Sequence, residues 1–514
     1  MPGHENDLEK AYQDLMERAK DLIVLQSASG IVYWDMETKM PPKGVNLRSQ
    51  QLALLEKMGH RMLTDPENGR LINAIKSHPE YDGLTQLQKR NVHLAKKEYD
   101  EAVKLPEELV VETARQQTIA VNTWKKAKAT KDYGMFKPEL SKLYELKVKA
   151  ADILMDVKGT KTPYDALIDL FEPKMTSETI SMVFDGMRKG LMKIIEKCRD
   201  SPRQPDIGFL SRKIPADAQR KIAEALSEAI GYDTKSDKAG GRIDETEHPF
   251  TTGYYDDVRI TTHYHEDKFA SSVFSTLHEG GHALYEQDLP ADWMYQPAGT
   301  GCSMGIHESQ SRFVENIVGR SQEFWSHFLP KLKEMTGDVL EEISLEQFVH
   351  AINRVVPSKI RIEADEVTYG LHIIIRFEME NDLFAGKLTI DELPQVWNEK
   401  YMHYLGVEVE HDSEGVMQDT HWASGLYGYC PSYALGNLYG GMMLEKINRD
   451  IPNWRERVSE GSLSEITGWL VENVHSRGNL HDPADLIRVI TGKELAIEPF
   501  LGYLDDKFSK LYGY

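Results

Sequence analysis

Cysteine is scarce in this chain. Only Cys198, Cys302 and Cys430 occur in 514 residues, far apart and with no CxxC pair. That pattern excludes a disulfide framework and a sequence-obvious thiolate zinc site, and it fits a reducing compartment. Long apolar runs are missing as well: none approaches the length of about 18 residues that a membrane span needs. The start, MPGHENDLEKAYQDL, lacks the basic end and apolar stretch of a signal peptide, so a cytoplasmic location is expected. Positive charge is in deficit. Against 61 Lys and Arg stand 82 Asp and Glu, a net charge of −21. Such a chain repels nucleic acid and anionic membrane, and neither is expected as a partner. An apolar fraction of 40% with 28% charged residues fits a globular protein rather than disorder.

Strand-like sequence is also thin. Alternation of β-branched and aromatic residues with polar ones is best developed in TTGYYDDVRITTHYH at 251–265. Most of the rest has helical spacing. Residues 7–29 place Leu8, Tyr12, Leu15, Ala19 and Leu22 at steps of three or four, and 84–102, 137–157, 176–198 and 215–231 behave similarly. Breaks such as MPPKG at 40–44 and SHPEYDG at 77–83 separate them. The segment 233–247, rich in Gly, Lys and Asp, reads as an exposed loop. No repeat or low-complexity stretch occurs, so one large, mainly α domain over 1–514 with a small β-sheet is expected.

The most informative stretch is TLHEGGHALYEQ at 276–287. A helix stacks residues four apart on one face, so His278 and His282 can reach one ion. Glu279 is then placed to act on water at that ion, the arrangement of a zinc peptidase. The structural alternative is an ordinary histidine pair, but the flanks Phe274, Leu277, Ala283 and Leu284 are apolar and bury at least part of the helix. Gly280 and Gly281 each cost roughly 1 kcal/mol relative to Ala inside a helix, which suggests close packing against its backbone. The alternative there is a frayed or kinked helix.

A third ligand is needed. The chain does not continue as HExxHxxGxxH. A carboxylate from the next helix is the remaining source, and MGIHESQSRFVENIVG at 304–319 reads as that helix, with Ile306, Phe313 and Ile317 as apolar positions. Glu308, 26 residues after His282, is the expected ligand, with Glu315 as the fallback. The competing role for Glu308 is a surface ion pair with Arg312.

Several motifs occur in order: YWDMETKMPPKG at 33–44, PYDALIDLFEP at 163–173, HPF at 248–250, DVRIT at 257–261, HEGGH at 278–282, HESQ at 307–310, IRIEAD at 360–365 and GVMQDTHW at 415–422. With them the chain resembles the carboxypeptidase Taq family of metallocarboxypeptidases nearly end to end. The resemblance implies a neurolysin-like helical fold with a deep substrate groove and a small sheet at its edge. It implies release of single C-terminal residues from peptides, with broad side-chain tolerance and poor cleavage next to proline. It also implies a homodimer and one divalent ion per chain, zinc or cobalt, with Glu308 as the glutamate ligand.

A carboxypeptidase must read a terminal carboxylate, for which Arg is the two-pronged partner. Arg361, expected in a helix, and Arg259, beside the expected strand, are the candidates. Their structural alternatives are ion pairs with Asp365 and Asp257. His248 and Gln418 are carried over as substrate-binding residues, His248 with a loop hydrogen bond as its alternative. By analogy with neurolysin-like folds, His421 and Tyr433 are the oxyanion donors, although Tyr427, Tyr429 and Tyr439 lie close in sequence. Two other readings remain open: an endo-acting oligopeptidase, and a catalytically silent peptide-binding protein.

Overall fold

The computed structural model describes residues 4–514. The expected helices form as His4–Thr38, Gln86–Lys104, Tyr133–Lys158, Ser177–Asp200 and Ala216–Ile230. Their ends follow local chemistry. MPPKG becomes a short 3-10 turn at Pro42–Gly44, between His4–Thr38 and Val45–Leu63. The Asp65 side chain caps Pro66–Lys76, and Thr85 with Gln88 forms a capping box at the start of Gln86–Lys104. The N-terminal helices enclose a small apolar cluster that includes Leu8, Leu15, Leu71, Ile75 and Val92. A larger core extends through the rest of the chain. No helix is long and apolar enough to cross a membrane, among the described residues.

The sheet has three strands: β1 (Gly241–Glu245), β2 (Thr251–Tyr254) and β3 (Asp257–Thr262), in the order β1-β3-β2. The expected strand region is a hairpin, β2 running antiparallel to β3. Part of the expected exposed loop at 233–247 instead forms β1, parallel to β3, with Ile243 opposite Ile260. A parallel partner is supplied from a distance, so local composition did not reveal it. Gly253, at φ +139°, is required: a Cβ there would come within 2.1 Å of the Asp257 carbonyl oxygen.

The long first helix is latched to this sheet by the residues of three sequence motifs. Tyr33 packs on Phe250 with ring centroids 5.5 Å apart. The guanidinium groups of Arg242 and Arg259 lie 4.6 and 4.3 Å from the centre of the Trp34 ring. Lys39 pairs with Asp244 at 2.7 Å. Cation–π and ionic contacts of this kind join two surfaces whose exposed rims stay polar.

Behind the sheet lies helix Phe269–Gln287, and its two central glycines set how close its neighbours come. A Cβ on Gly280 would meet Ile230 at 2.4 Å, and one on Gly281 would meet the Gln310 carbonyl oxygen at 2.6 Å. Helix Met304–Arg312 therefore lies directly on the helix backbone at Gly281. On its other side, Gly436 of helix Pro431–Asp450 gives the same clearance to the Glu308 side chain, at 2.9 Å. The close packing expected from the glycine pair is present. The expected helix over 304–319 is α-helical only through Arg312 and widens into π turns at Phe313–Val318.

Gly281→Ala tests this contact. Helix propensity alone favours the change by about 1 kcal/mol, whereas overpacking costs about 1–3 kcal/mol. A lower thermal midpoint is expected. An unchanged or higher midpoint would show that the helices are not held at this spacing.

Candidate metal centre

His278 and His282 share one face of their helix, with ring centroids 5.0 Å apart. Glu308 enters from the next helix, and its Oε2 lies 3.7 Å from His278 Nε2 and 3.4 Å from His282 Nε2. Each residue contributes one donor atom, and the three lie within 4.8 Å of one another. A tetrahedral ion with bonds of roughly 2.0–2.1 Å needs donor atoms about 3.4 Å apart. The donor set therefore fits one small divalent ion with a further position open.

The remaining imidazole nitrogens have partners that aim the rings. His278 Nδ1 is 2.9 Å from Glu315 Oε2, so its N–H donates there and Nε2 is left as the free lone pair. His282 Nδ1 is 2.6 Å from His307 Nδ1, and His307 Nε2 is 2.8 Å from Glu286 Oε1. Glu286 only accepts, so His307 donates to it through Nε2 and accepts from His282 through Nδ1. Two steps of hydrogen bonding thus set the His282 tautomer, as outer partners of metal-binding histidines commonly do. Glu315, the fallback ligand, is such an outer partner: its carboxylate meets the far side of His278, away from Glu308.

Charge balance tunes the same groups. Burial pushes Glu308 up, but Arg312 and the two histidines outweigh it and hold the carboxyl far below its usual range. Arg312 Nε donates to Glu308 Oε1 at 2.7 Å, so the ion pair weighed as the competing role exists, but it is part-buried rather than on the surface and leaves Oε2 to the histidines. Burial also opposes ionisation of Glu315, yet Arg312, His278 and Arg320 bring it down to about 2. Burial pushes His282 down to about 3. It pushes His278 down too, but Glu308 and Glu315 prevail and raise that imidazole to about 8. Glu279 is buried beside the ligands, and burial raises its carboxyl despite His278 and the Thr251 hydroxyl.

A second cluster adjoins the ligands. The Arg312 guanidinium lies 4.1 Å from the centre of the Tyr369 ring, and Tyr369 OH accepts from Arg361 Nη1 at 3.1 Å. Arg361 also donates to Asp419 Oδ1, Nη2 at 3.0 Å, and sits over the Tyr433 ring. His421 Nε2 is 3.3 Å from Tyr433 OH, and Tyr429 stands edge-on to Tyr433. His421 and Tyr433 are thus brought together, and the chain Glu308–Arg312–Tyr369–Arg361 joins them to the metal ligands.

The loop carrying His421 hangs from helix Tyr369–Phe384. Arg376 donates to Asp419 Oδ2 at 2.7 Å and to Gln418 Oε1 at 2.9 Å. One turn later, Glu380 accepts from Trp422 Nε1, Gly428 N and Tyr164 OH, each at 2.8 Å. Burial pushes the Glu380 carboxyl up to about 7 against those three donors. Tyr164 is the second residue of the PYDALIDLFEP motif. Glu172, near its end, accepts from Gly305 N at 2.9 Å and Ser303 Oγ at 3.0 Å, at the start of the helix that carries Glu308. These braces were missed in the sequence. Their signal was charge inside apolar runs, as in HIIIRFEME at 372–380, since buried charges need partners.

The other expected site residues are placed differently. Arg361 sits in a single 3-10 turn, Arg361–Glu363, rather than in a longer helix. Its ionic partner is Asp419 and not Asp365, whose carboxylate accepts from Val356 N, Val367 N and Thr368. Arg259 makes its structural alternative, a two-pronged pair with Asp257 at 2.7 and 2.8 Å, while stacked on Trp34. His248 is exposed in the connection from β1 to β2. Gln418 accepts from Arg361 N as well as Arg376, and donates to the carbonyls of Lys359 and Glu414, so its amide is engaged within the protein.

Fold and site together define a helical metallopeptidase. The chain belongs to the carboxypeptidase Taq (M32) metallopeptidase family, whose model matches residues 14–508. It is 39% identical over 512 residues to thermostable carboxypeptidase 1 of Thermus thermophilus, covering 98% of this chain and 99% of that protein. It is 37% identical over 505 residues to carboxypeptidase 1 of Bacillus subtilis, with 98% of each covered. The solved M32 carboxypeptidase of Deinococcus radiodurans R1 superimposes with a TM-score of 0.94 at 33% identity, covering 98% of this chain and 100% of that one. Family membership makes the chain a metallocarboxypeptidase, a peptide hydrolase that uses a divalent metal.

Metal analysis of two variants separates ligand from outer partner. Glu308→Ala should lose the ion. Glu315→Gln should keep one ion per chain but bind it about 10–100-fold more weakly in chelator competition. The reverse order of effects would exchange the roles of the two glutamates.

Proposed function

We propose that this protein releases single C-terminal residues from peptides, with zinc held by His278, His282 and Glu308 and with Glu279 as the general base. The observation that carries the reading is the buried Glu279 carboxylate beside three converging ligand atoms. Zinc, when bound, supplies Lewis acidity at its open position; cobalt suits the same donor set. Burial raises the Glu279 carboxyl, which makes it a better base. It takes a proton from the attacking water and passes it to the leaving amine. His421 and Tyr433, 3.3 Å apart and adjoining Arg361, are the proposed donors to a developing oxyanion.

Arg361 is the proposed reader of the substrate terminus. Its guanidinium has five N–H donors. Asp419 and Tyr369 use part of that capacity, which leaves donors for a carboxylate. Arg259, paired with Asp257 and stacked on Trp34, is the second choice, because it stands outside the Glu308–Arg312–Tyr369–Arg361 chain. His248, exposed near the sheet, suits contact with a substrate backbone, while Gln418 acts by holding the Arg361 turn. Broad side-chain tolerance is part of the proposal, as are a single domain, a cytoplasmic location and a homodimer.

Mass spectrometry of one unlabelled peptide tests the reaction. A ladder from the C-terminus is expected. A charge-assisted hydrogen bond is worth about 1.5–3 kcal/mol, so amidating the terminus should lower kcat/KM by roughly one to two orders of magnitude. Arg361→Ala should erase most of that difference. Equal cleavage of acid and amide by the parent would remove the terminus-reading role. Glu279→Gln should keep its metal and lose activity at least about 100-fold; near-normal turnover would identify another base. Light scattering should give about twice the chain mass of 58.7 kDa, and a monomer mass at micromolar concentration would overturn the dimer.

A further inference from the structure

The Glu279 carboxylate has one hydrogen-bonding side chain against it among the described residues. That is Thr251, the first residue of β2: its Oγ1 lies 2.6 Å from Glu279 Oε2 and 3.0 Å from the Glu279 carbonyl oxygen. No motif singled out this threonine. It follows HPF directly, and the strand it opens is fixed on two sides. Thr251 pairs with Ile260 of β3, and the next residue, Thr252, lies against the first helix, where a Cβ on Gly30 would be 3.1 Å from its hydroxyl.

We infer that Thr251 is a positioning residue for hydrolysis, holding Glu279 in the orientation in which it works as base. This rests on the proposed role of Glu279. A hydroxyl has one proton and two lone pairs. Against the carboxylate, the Thr251 proton goes to Oε2, leaving Oε1 as the oxygen that no donor among the described residues engages. When Oε1 takes the proton from water, Oε2 goes on accepting from Thr251 Oγ1 at 2.6 Å. Both states of the acid are hydrogen-bonded without movement of the strand. A group that gains and loses a proton in each turnover is thereby kept in one place, and orientation at this level is worth a large factor in rate.

The side chain suits the task. Thr is stiff at χ1 because of its β-branch, and the strand fixes its backbone. Valine has nearly the same shape without the hydroxyl, and serine keeps the hydroxyl without the methyl. The pair separates a lost hydrogen bond from lost packing.

The test is steady-state kinetics on four metal-loaded full-length proteins: Thr251→Val, Thr251→Ser, Glu279→Gln and the double variant Thr251→Val/Glu279→Gln. Metal content and thermal midpoint are measured for each. Thr251→Val should keep one ion per chain and lower kcat about tenfold with KM within about twofold, the size expected for one hydrogen bond to a charged group. Thr251→Ser should restore most of the loss. On the Glu279→Gln background, Thr251→Val should cost less than about twofold, because the group it positions is already gone. A parental kcat in Thr251→Val, with Glu279→Gln inactive, overturns the inference and leaves the base intact. So does a full tenfold loss on both backgrounds, or a loss of metal or midpoint that serine does not repair, since each assigns Thr251 to the fold. Near-normal turnover in Glu279→Gln overturns the base itself, and the inference with it.

Discussion

The structure depends on how closely three helices can approach at two glycines. Gly281 lets helix Met304–Arg312 lie on the backbone of the helix that carries the histidines, and Gly436 lets helix Pro431–Asp450 lie against Glu308 from the other side. A Cβ at either place would occupy the space now filled by backbone or by the ligand's own methylenes. Metal ligation tolerates errors of only a few tenths of an ångström, about 0.2 Å in a bond. Two helix interiors therefore each carry a glycine that weakens them, because the distance between helices matters more there than helix propensity.

Close approach also concentrates charge. Glu279, Glu308 and Glu315 are buried together, opposed by Arg312 and Arg320. Buried charges without compensation are costly. The excess of acid shows at His278, whose imidazole Glu308 and Glu315 raise to about 8 against burial. A divalent cation would balance these carboxylates, so the electrostatics and the donor geometry favour the same occupant. A second cluster, Arg361, Arg376 and Asp419, sets two cations against one anion, and burial of Asp419 is outweighed by its two arginines, which hold it far below the usual range.

The sheet is small, but it connects parts of the molecule that are distant in sequence. Its outer residues take the first helix through Trp34, Arg242 and Arg259, while its inner edge touches Glu279 through Thr251. Three motifs that look separate along the chain, around 33–44, 248–250 and 257–261, are one joint in space. Conversely, the PYDALIDLFEP segment divides its work. Tyr164 braces the loop of His421 through Glu380, and Glu172 braces the helix of Glu308.

Local chemistry was enough to read the helices and the residues that could hold a metal. Helical period and turn residues act within a few positions, and HExxH needs only one turn of helix to align two imidazoles. Glu308 was legible as a candidate because one short return of the chain brings it beside the two histidines. Contacts between distant segments were not. β1 could not be read because its partner β3 is parallel and remote, and the π turns at Phe313–Val318 have no local signature. The roles of Glu315, His307 and Glu286 depend on which side of a ring each reaches, and Arg361 found Asp419 rather than its sequence neighbour Asp365. Thr251 was invisible as a functional residue because a threonine in a strand is ordinary. The sequence by itself determined which side chains could hold a metal. Only the tertiary structure decided what stands behind each of them, because hydrogen-bond partners are set by packing distances between elements and not by spacing along the chain.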